Sequence, residues 1–142
     1  MVLFAKDVAE KVFLSLPRGT NALEAAKKMK ETRQGFVIVT DGGAPEGIVT
    51  EWDYLSKVVA EGSDPAKVSL GDIMTPGLIT VKGNDGLESV AKTMTEQGVR
   101  RVLVLQDGKV LGVITSRTIL ARLEEYVNRV STTIARLQAP PF

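Results

Sequence analysis

Apolar residues in this chain follow two rhythms, and both occur twice. A short apolar stretch, Phe13-Leu14-Ser15-Leu16, closed by the turn residues Pro17-Arg18-Gly19, predicts a strand. Ala22, Ala25, Ala26 and Met29 then fall at helical spacing. Two β-branched runs follow, Phe36 to Thr40 and Gly47 to Thr50. They are joined by the glycine-rich loop Asp41-Gly42-Gly43-Ala44-Pro45, and together they predict a hairpin. A second helix is expected from Glu51 to about Ala60.

The same succession returns without a gap at a constant offset of 65, so that Leu3 to Leu55 lies over Val68 to Leu120. Asp7-Val8 stands over Asp72-Ile73, Met29 over Met94, Val37 over Val102 and Gly47 over Gly112. In the second copy the strand is expected at Leu78-Ile79-Thr80-Val81. The helix carries Leu87, Val90, Ala91 and Met94, and Asp85 with Glu88 has the spacing of a capping box. The hairpin runs from Val102 to Leu105 and from Val110 to Thr115 around Asp107-Gly108. The last helix, Ser116 to about Leu137, outruns its counterpart and carries an apolar stripe of Leu120, Leu123, Val127, Val130 and Ile134.

These boundaries divide the chain into repeat 1 at 1–62, a linker at 63–67, repeat 2 at 68–138 and a tail at 139–142 that frays unless Phe142 docks. Each copy reads β-α-β-β-α, with a sheet too small to bury both faces alone. We therefore expect an α/β fold in which the two tandem repeats pack about a pseudo-twofold axis.

Composition narrows the chemistry more than the fold. With no Cys and no His in 142 residues, zinc sites, thiolate nucleophiles, disulfides and a Ser-His-Asp triad are excluded. The formal charge of +1 leaves no bulk attraction for nucleic acid or an anionic membrane. The opening Met1-Val2-Leu3-Phe4-Ala5 is too short for a signal-peptide core, and no apolar run reaches the ~20 residues of a membrane span, so a soluble cytoplasmic protein is expected.

One junction carries candidate chemistry. In Gly47-Ile48-Val49-Thr50-Glu51-Trp52-Asp53 a strand hands over to a helix, which puts Thr50 where an anion meets the positive end of the helix dipole. Asp53 is suited to accept two hydrogen bonds from the cis-diol of a ribose. The same Thr-x-x-Asp spacing also suits two residues that only cap a helix, worth about 1 kcal/mol. The counterpart, Gly112 to Thr118, ends in Thr instead of Asp. Glu51 and Asp53, at i and i+2, do not face one another as an acid-base pair, and no catalytic residue is assigned.

With these residues on view the chain resembles the cystathionine β-synthase (CBS) domain pair, or Bateman module, without an attached effector domain. The resemblance rests on Asp7-Val8-Ala9 and Asp72-Ile73-Met74, the Ala-x-x-Met helices, the Gly98-Val99-Arg100-Arg101-Val102-Leu103-Val104 run and the Gly47 to Asp53 signature. It implies a non-enzymatic regulatory module that binds an adenosine derivative in a cleft between repeats, holds no metal, pairs into a homodimer and acts in trans on an unidentified protein. AMP is the first candidate, with ADP, ATP and S-adenosylmethionine behind it.

By the same resemblance Ile48, Val49 and Ile79 form the apolar slot for adenine and Arg100, Arg101 and Arg117 face the phosphate, while Thr50 at the helix start suits the phosphate and Asp53 the ribose. A guanidinium offers phosphate a planar, permanently charged fork. At the counterpart site Thr118 replaces the diol acceptor, Gly35-Phe36 replace the arginine pair and Trp52 stands in the place of Arg117. One good site and one degenerate site, around Thr115, are expected. A structural adaptor that has lost its ligand is the alternative, motivated by the amphipathic last helix. Nucleic-acid binding, motivated by the three arginines alone, is the weakest of the readings.

Overall fold

The computed structural model describes residues 3–138; the tail at 139–142, with its expected docking of Phe142, lies outside the described residues, as do Met1 and Val2. In chain order the elements are α1 (Ala5–Val8), β1 (Ser15–Pro17), α2 (Ala22–Thr32), β2 (Phe36–Asp41), β3 (Ala44–Thr50) and α3 (Glu51–Asp53). The last of these runs on into π-helical turns at Tyr54–Val59. A 3₁₀ turn at Pro65–Lys67 is followed by α4 (Leu70–Ile73), β4 (Thr75–Pro76), β5 (Thr80–Lys82), α5 (Leu87–Gln97), β6 (Arg101–Gln106), β7 (Lys109–Thr115) and α6 (Ser116–Gln138). No helix among the described residues is long and apolar enough to cross a membrane.

One sheet has the order β1-β2-β3-β4, with β1 parallel to β2 and the other pairs antiparallel. The other has the order β5-β6-β7, with β5 parallel to β6 and β6 antiparallel to β7. Both parallel pairs enclose a helix, the crossover that parallel neighbours require. The first strand of each copy forms later than its apolar run suggests, at 15–17 and 80–82. In the first copy the Leu14 N–H donates to Gln34 Oε1 at 2.7 Å instead of to a strand.

Two compact units contain the described residues: Val12–Ile79 is one, and residues 3–11 with 80–138 are the other. The units thus cross the repeat boundary, and hydrogen bonds account for it. In the first unit Ala22 N–H donates to Val68 O (2.7 Å), Leu70 N–H to Thr20 O (2.9 Å) and Gly71 N–H to Arg18 O (2.9 Å). In the second, Ala5 N–H donates to Asp85 O (2.8 Å), while Glu10 and Val113 exchange bonds of 2.9 and 3.0 Å.

Each core lies between one face of a sheet and its helices. In the first unit Val37, Val39 and Val49 pack with Leu16, Ala22, Ala25, Met29, Val58, Leu70 and Ile73. The second unit buries the positions 65 residues away: Val81, Val90, Met94, Val102, Val104 and Ile114, with Ala5 and Val8 in place of Leu70 and Ile73. Each fully buried aliphatic side chain of this kind contributes about 1.5–3 kcal/mol. The repeated glycine has a steric reason. A Cβ on Gly112 would lie 2.5 Å from Glu10 O, and one on Gly47 would lie 2.8 Å from Thr75 O and Met74 Sδ, because the segment before each repeat's first strand crosses there.

Helix ends follow local chemistry. Asn21 Oδ1 accepts from Glu24 N–H at 2.8 Å and caps α2. The capping box expected from Asp85 and Glu88 does not form. Asp85 sits one residue before the cap position, which Gly86 holds, and its carboxylate instead accepts from Lys82 N–H at 2.8 Å, closing the turn after β5.

Candidate functional site

In the first unit the junction after β3 is held by its own backbone. Thr50, paired with Phe36 across the sheet, leaves the strand with extended angles, and Glu51 N–H donates to Gly35 O at 3.2 Å. The Glu51 carboxylate lies over Gly35, in the space that a Cβ there would take. Three residues after Thr50, Asp53 is 4% exposed and is the one buried charged residue among those described. Its Oδ2 accepts from Thr50 N–H at 2.8 Å and from the Thr50 hydroxyl at 3.3 Å. Its Oδ1 meets Lys57 Nζ at 3.0 Å.

Sequence reasoning missed Lys57. The signal was present, since Asp and Lys at i and i+4 share a helix face. Lys57 Nζ also donates to Ile73 O at 2.9 Å, which ties the junction to α4. The π-helical turns that carry Lys57 are anchored by Tyr54, whose hydroxyl donates to Ala22 O at 2.7 Å. Burial pushes the Tyr54 phenol up from 10.0 to about 12.

The apolar candidates separate by face. Ile48 pairs with Ile38, and Val49 with Val37, so successive side chains of β3 point to opposite sides of the sheet. Ile48 is half-buried, whereas Val49 is fully buried in the helix-side core. Only the backbone of Val49 is left for a ligand on the Ile48 face. Ile79, half-buried, precedes β5 by one residue.

The three arginines gather at the equivalent junction of the second unit. Arg101 pairs with Thr115 across the sheet, Ser116 N–H donates to Arg100 O at 3.0 Å, and Arg117 is exposed in the first turn of α6. The helix start beside them is capped without a carboxylate. Thr115 Oγ1 accepts from Thr118 N–H at 3.1 Å, and the two hydroxyls lie 2.8 Å apart. The two junctions share a backbone and differ in charge: one buries a carboxylate with a lysine, the other joins two neutral hydroxyls and carries cations at its edge. Trp52, at the place of Arg117, is 68% exposed. No group of three or more acidic, Cys or His residues suited to a metal ion occurs among the described residues.

Chains of known type reproduce this doubled pattern. The CBS domain model matches residues 5–60 and again 70–125. An uncharacterized protein of Methanopyrus kandleri is 36% identical over 123 residues, 85% of this chain, and this chain spans 62% of that relative's length. The crystal structure of a hexameric CBS-CP12 protein from bloom-forming cyanobacteria superposes with a TM-score of 0.77 at 32% identity, over 84% of this chain and 67% of that one. A CBS domain pair solved in complex with 5′-methylthioadenosine and S-adenosyl-L-methionine gives a TM-score of 0.77 at 26% identity, over 89% of this chain and 99% of that one. Each matched stretch takes in one copy of the strand-to-helix junction, and on that ground the chain belongs to the CBS domain family and carries two such domains.

Proposed function

We propose that this CBS domain pair is a non-catalytic regulatory module that binds an adenosine derivative, with AMP the first candidate, and acts in trans on another protein. The observation that carries the proposal is the buried Asp53 carboxylate at one strand-to-helix junction, set against the hydroxyl pair of Thr115 and Thr118 at the other. Thr50 and Lys57 take three of the roughly four lone-pair directions of the carboxylate, so it keeps capacity for a ribose hydroxyl. Ile48 and Ile79 are assigned to the base, with the backbone of Val49, and Arg100, Arg101 and Arg117 to the phosphate. The CBS domain pair in complex with 5′-methylthioadenosine and S-adenosyl-L-methionine supports the ligand class. We place the module in the cytoplasm as a homodimer.

Calorimetric titration with AMP, ADP, ATP and S-adenosylmethionine tests this. Saturable heat with at least one of them, with affinity about tenfold or more weaker in the Asp53→Asn variant and unchanged in Thr118→Ala, is the expected result. Absence of heat or thermal shift with all four overturns the proposal and leaves the adaptor reading, which the exposed apolar face of α6 favours.

A further inference from the structure

Lys57 has a counterpart at the offset of the repeat, Arg122. Arg122 Nη2 donates to Asp7 O at 2.7 Å, as Lys57 Nζ donates to Ile73 O at 2.9 Å. In both units a cation about one turn past the junction thus satisfies a carbonyl near the end of a short helix, α1 or α4. The remaining contact differs. Arg122 Nη1 turns to Glu125 Oε2 at 3.0 Å on its own helix, where the junction residue Thr118 carries no charge, whereas Lys57 Nζ turns to Asp53 Oδ1 at 3.0 Å. The carbonyl bond is the structural role that both positions share. The carboxylate contact is what the first junction adds.

That contact changes how Asp53 can meet a ribose. A carboxylate offers roughly four lone-pair directions, two on each oxygen, and a cis-diol presents two donors to them. The Thr50 N–H at 2.8 Å and the Thr50 hydroxyl at 3.3 Å occupy Oδ2, and Lys57 takes one direction of Oδ1. One direction is left, on Oδ1. The side chain is 6% exposed, so the carboxylate does not swing out to present a fresh edge while these donors hold it.

Resting on the nucleotide reading above, we propose that the junction takes AMP through a single ribose hydroxyl, and that Lys57 is the positioning residue that sets this selectivity. Withdrawing Lys57 to admit the second hydroxyl breaks two bonds, to Asp53 and to Ile73 O, and gains one. It also takes a cation away from a desolvated carboxylate, which a neutral hydroxyl does not replace.

Calorimetric titration of the parent protein with AMP, 2′-deoxy-AMP and 3′-deoxy-AMP tests this. One monodeoxy form is expected to bind within about twofold of AMP and the other about tenfold or more weaker, the loss of one hydrogen bond to a charged group. In Lys57→Met the second direction of Oδ1 accepts the other hydroxyl, so both monodeoxy forms are expected to fall about tenfold or more below AMP. Lys57→Arg is expected to keep the parent's pattern, since Arg122 shows that an arginine at this place reaches the carbonyl. A lysine with a merely structural role would move all three affinities together in Lys57→Met and leave their ratios as in the parent. That result overturns the proposal. Equal loss for both monodeoxy forms in the parent does so too, because Lys57 then yields to the diol, and so does equal binding of all three ligands. The parent series alone decides the selectivity, whatever Lys57→Met does to stability. Absence of heat with AMP overturns the AMP assignment and this selectivity with it, whereas heat with AMP and equal losses overturns the selectivity alone.

Discussion

The Asp53 carboxylate and the Lys57 ammonium lie 3.0 Å apart, one side chain 6% exposed and the other 42%. The pair is therefore lopsided: the anion depends on the cation, and the cation still reaches water. Removing either partner leaves the other in an arrangement built for two. Removing the lysine is the harsher change for the buried group, because a desolvated carboxylate then keeps only the Thr50 donors.

Lys57→Met is thus expected to lower stability by about 1–3 kcal/mol, and Asp53→Asn, which leaves no buried charge and keeps an acceptor for the Thr50 N–H, by less. Thr118→Ala, at the neutral counterpart, keeps the cap that Thr115 Oγ1 places on the N–H of residue 118 and loses only the hydroxyl–hydroxyl bond, worth about 0.5–1.5 kcal/mol. Urea denaturation of the three variants measures the order. In parallel titrations Asp53→Asn weakens AMP binding about tenfold or more, which is what one hydrogen bond to a charged group supplies. Equal stabilities for all three variants would remove the special standing of the first junction.

Gly112→Ala is expected to destabilise the protein by about 1–3 kcal/mol. The added Cβ meets a backbone carbonyl, Glu10 O, and that carbonyl is committed to Val113 N–H. Gly47→Ala meets Thr75 O and the flexible Met74 side chain, which can yield in part. Thermal melts are expected to rank Gly112→Ala below Gly47→Ala.

Arg33 ends α2 with φ 55°, and Gly98 ends α5 with φ 64°. Only the second is a residue that takes the left-handed region without a steric penalty. Arg33→Gly is expected to raise stability by about 0.5–1 kcal/mol, less what the more flexible unfolded chain takes back. Gly98→Arg is expected to lower it. Denaturant midpoints at constant slope check both.

Burial raises the Tyr54 phenol from 10.0 to about 12. Above pH 10 the unfolded chain releases this proton more readily than the folded one, so the native state binds more protons and stability falls as pH rises. The contribution is fully present below pH 10 and disappears as pH passes 12. Thermal melts between pH 9 and pH 12 are expected to show a steeper decline for the parent than for Tyr54→Phe. Ultraviolet titration of the phenolate reads the ionisation directly.

The sequence by itself determined the doubled order of elements, the hairpins and nearly all core positions. A shared apolar skeleton at constant offset is written residue by residue, and Val37, Val39, Val102 and Val104 can be buried only if the strands pair as they do. Tertiary structure decided what depends on partners far along the chain. Residues 3–11 join the unit of the second sheet because Ala5 and Glu10 bond to Asp85 and Val113, a pairing that no local periodicity encodes. The core side of the sheet claims the Val49 side chain because strand alternation and the helices above leave it no other place. The lone pairs of Asp53 were legible only as a choice between cap and ribose. Folding commits three of them to Thr50 and Lys57, since a carboxylate taken out of water must be met by donors.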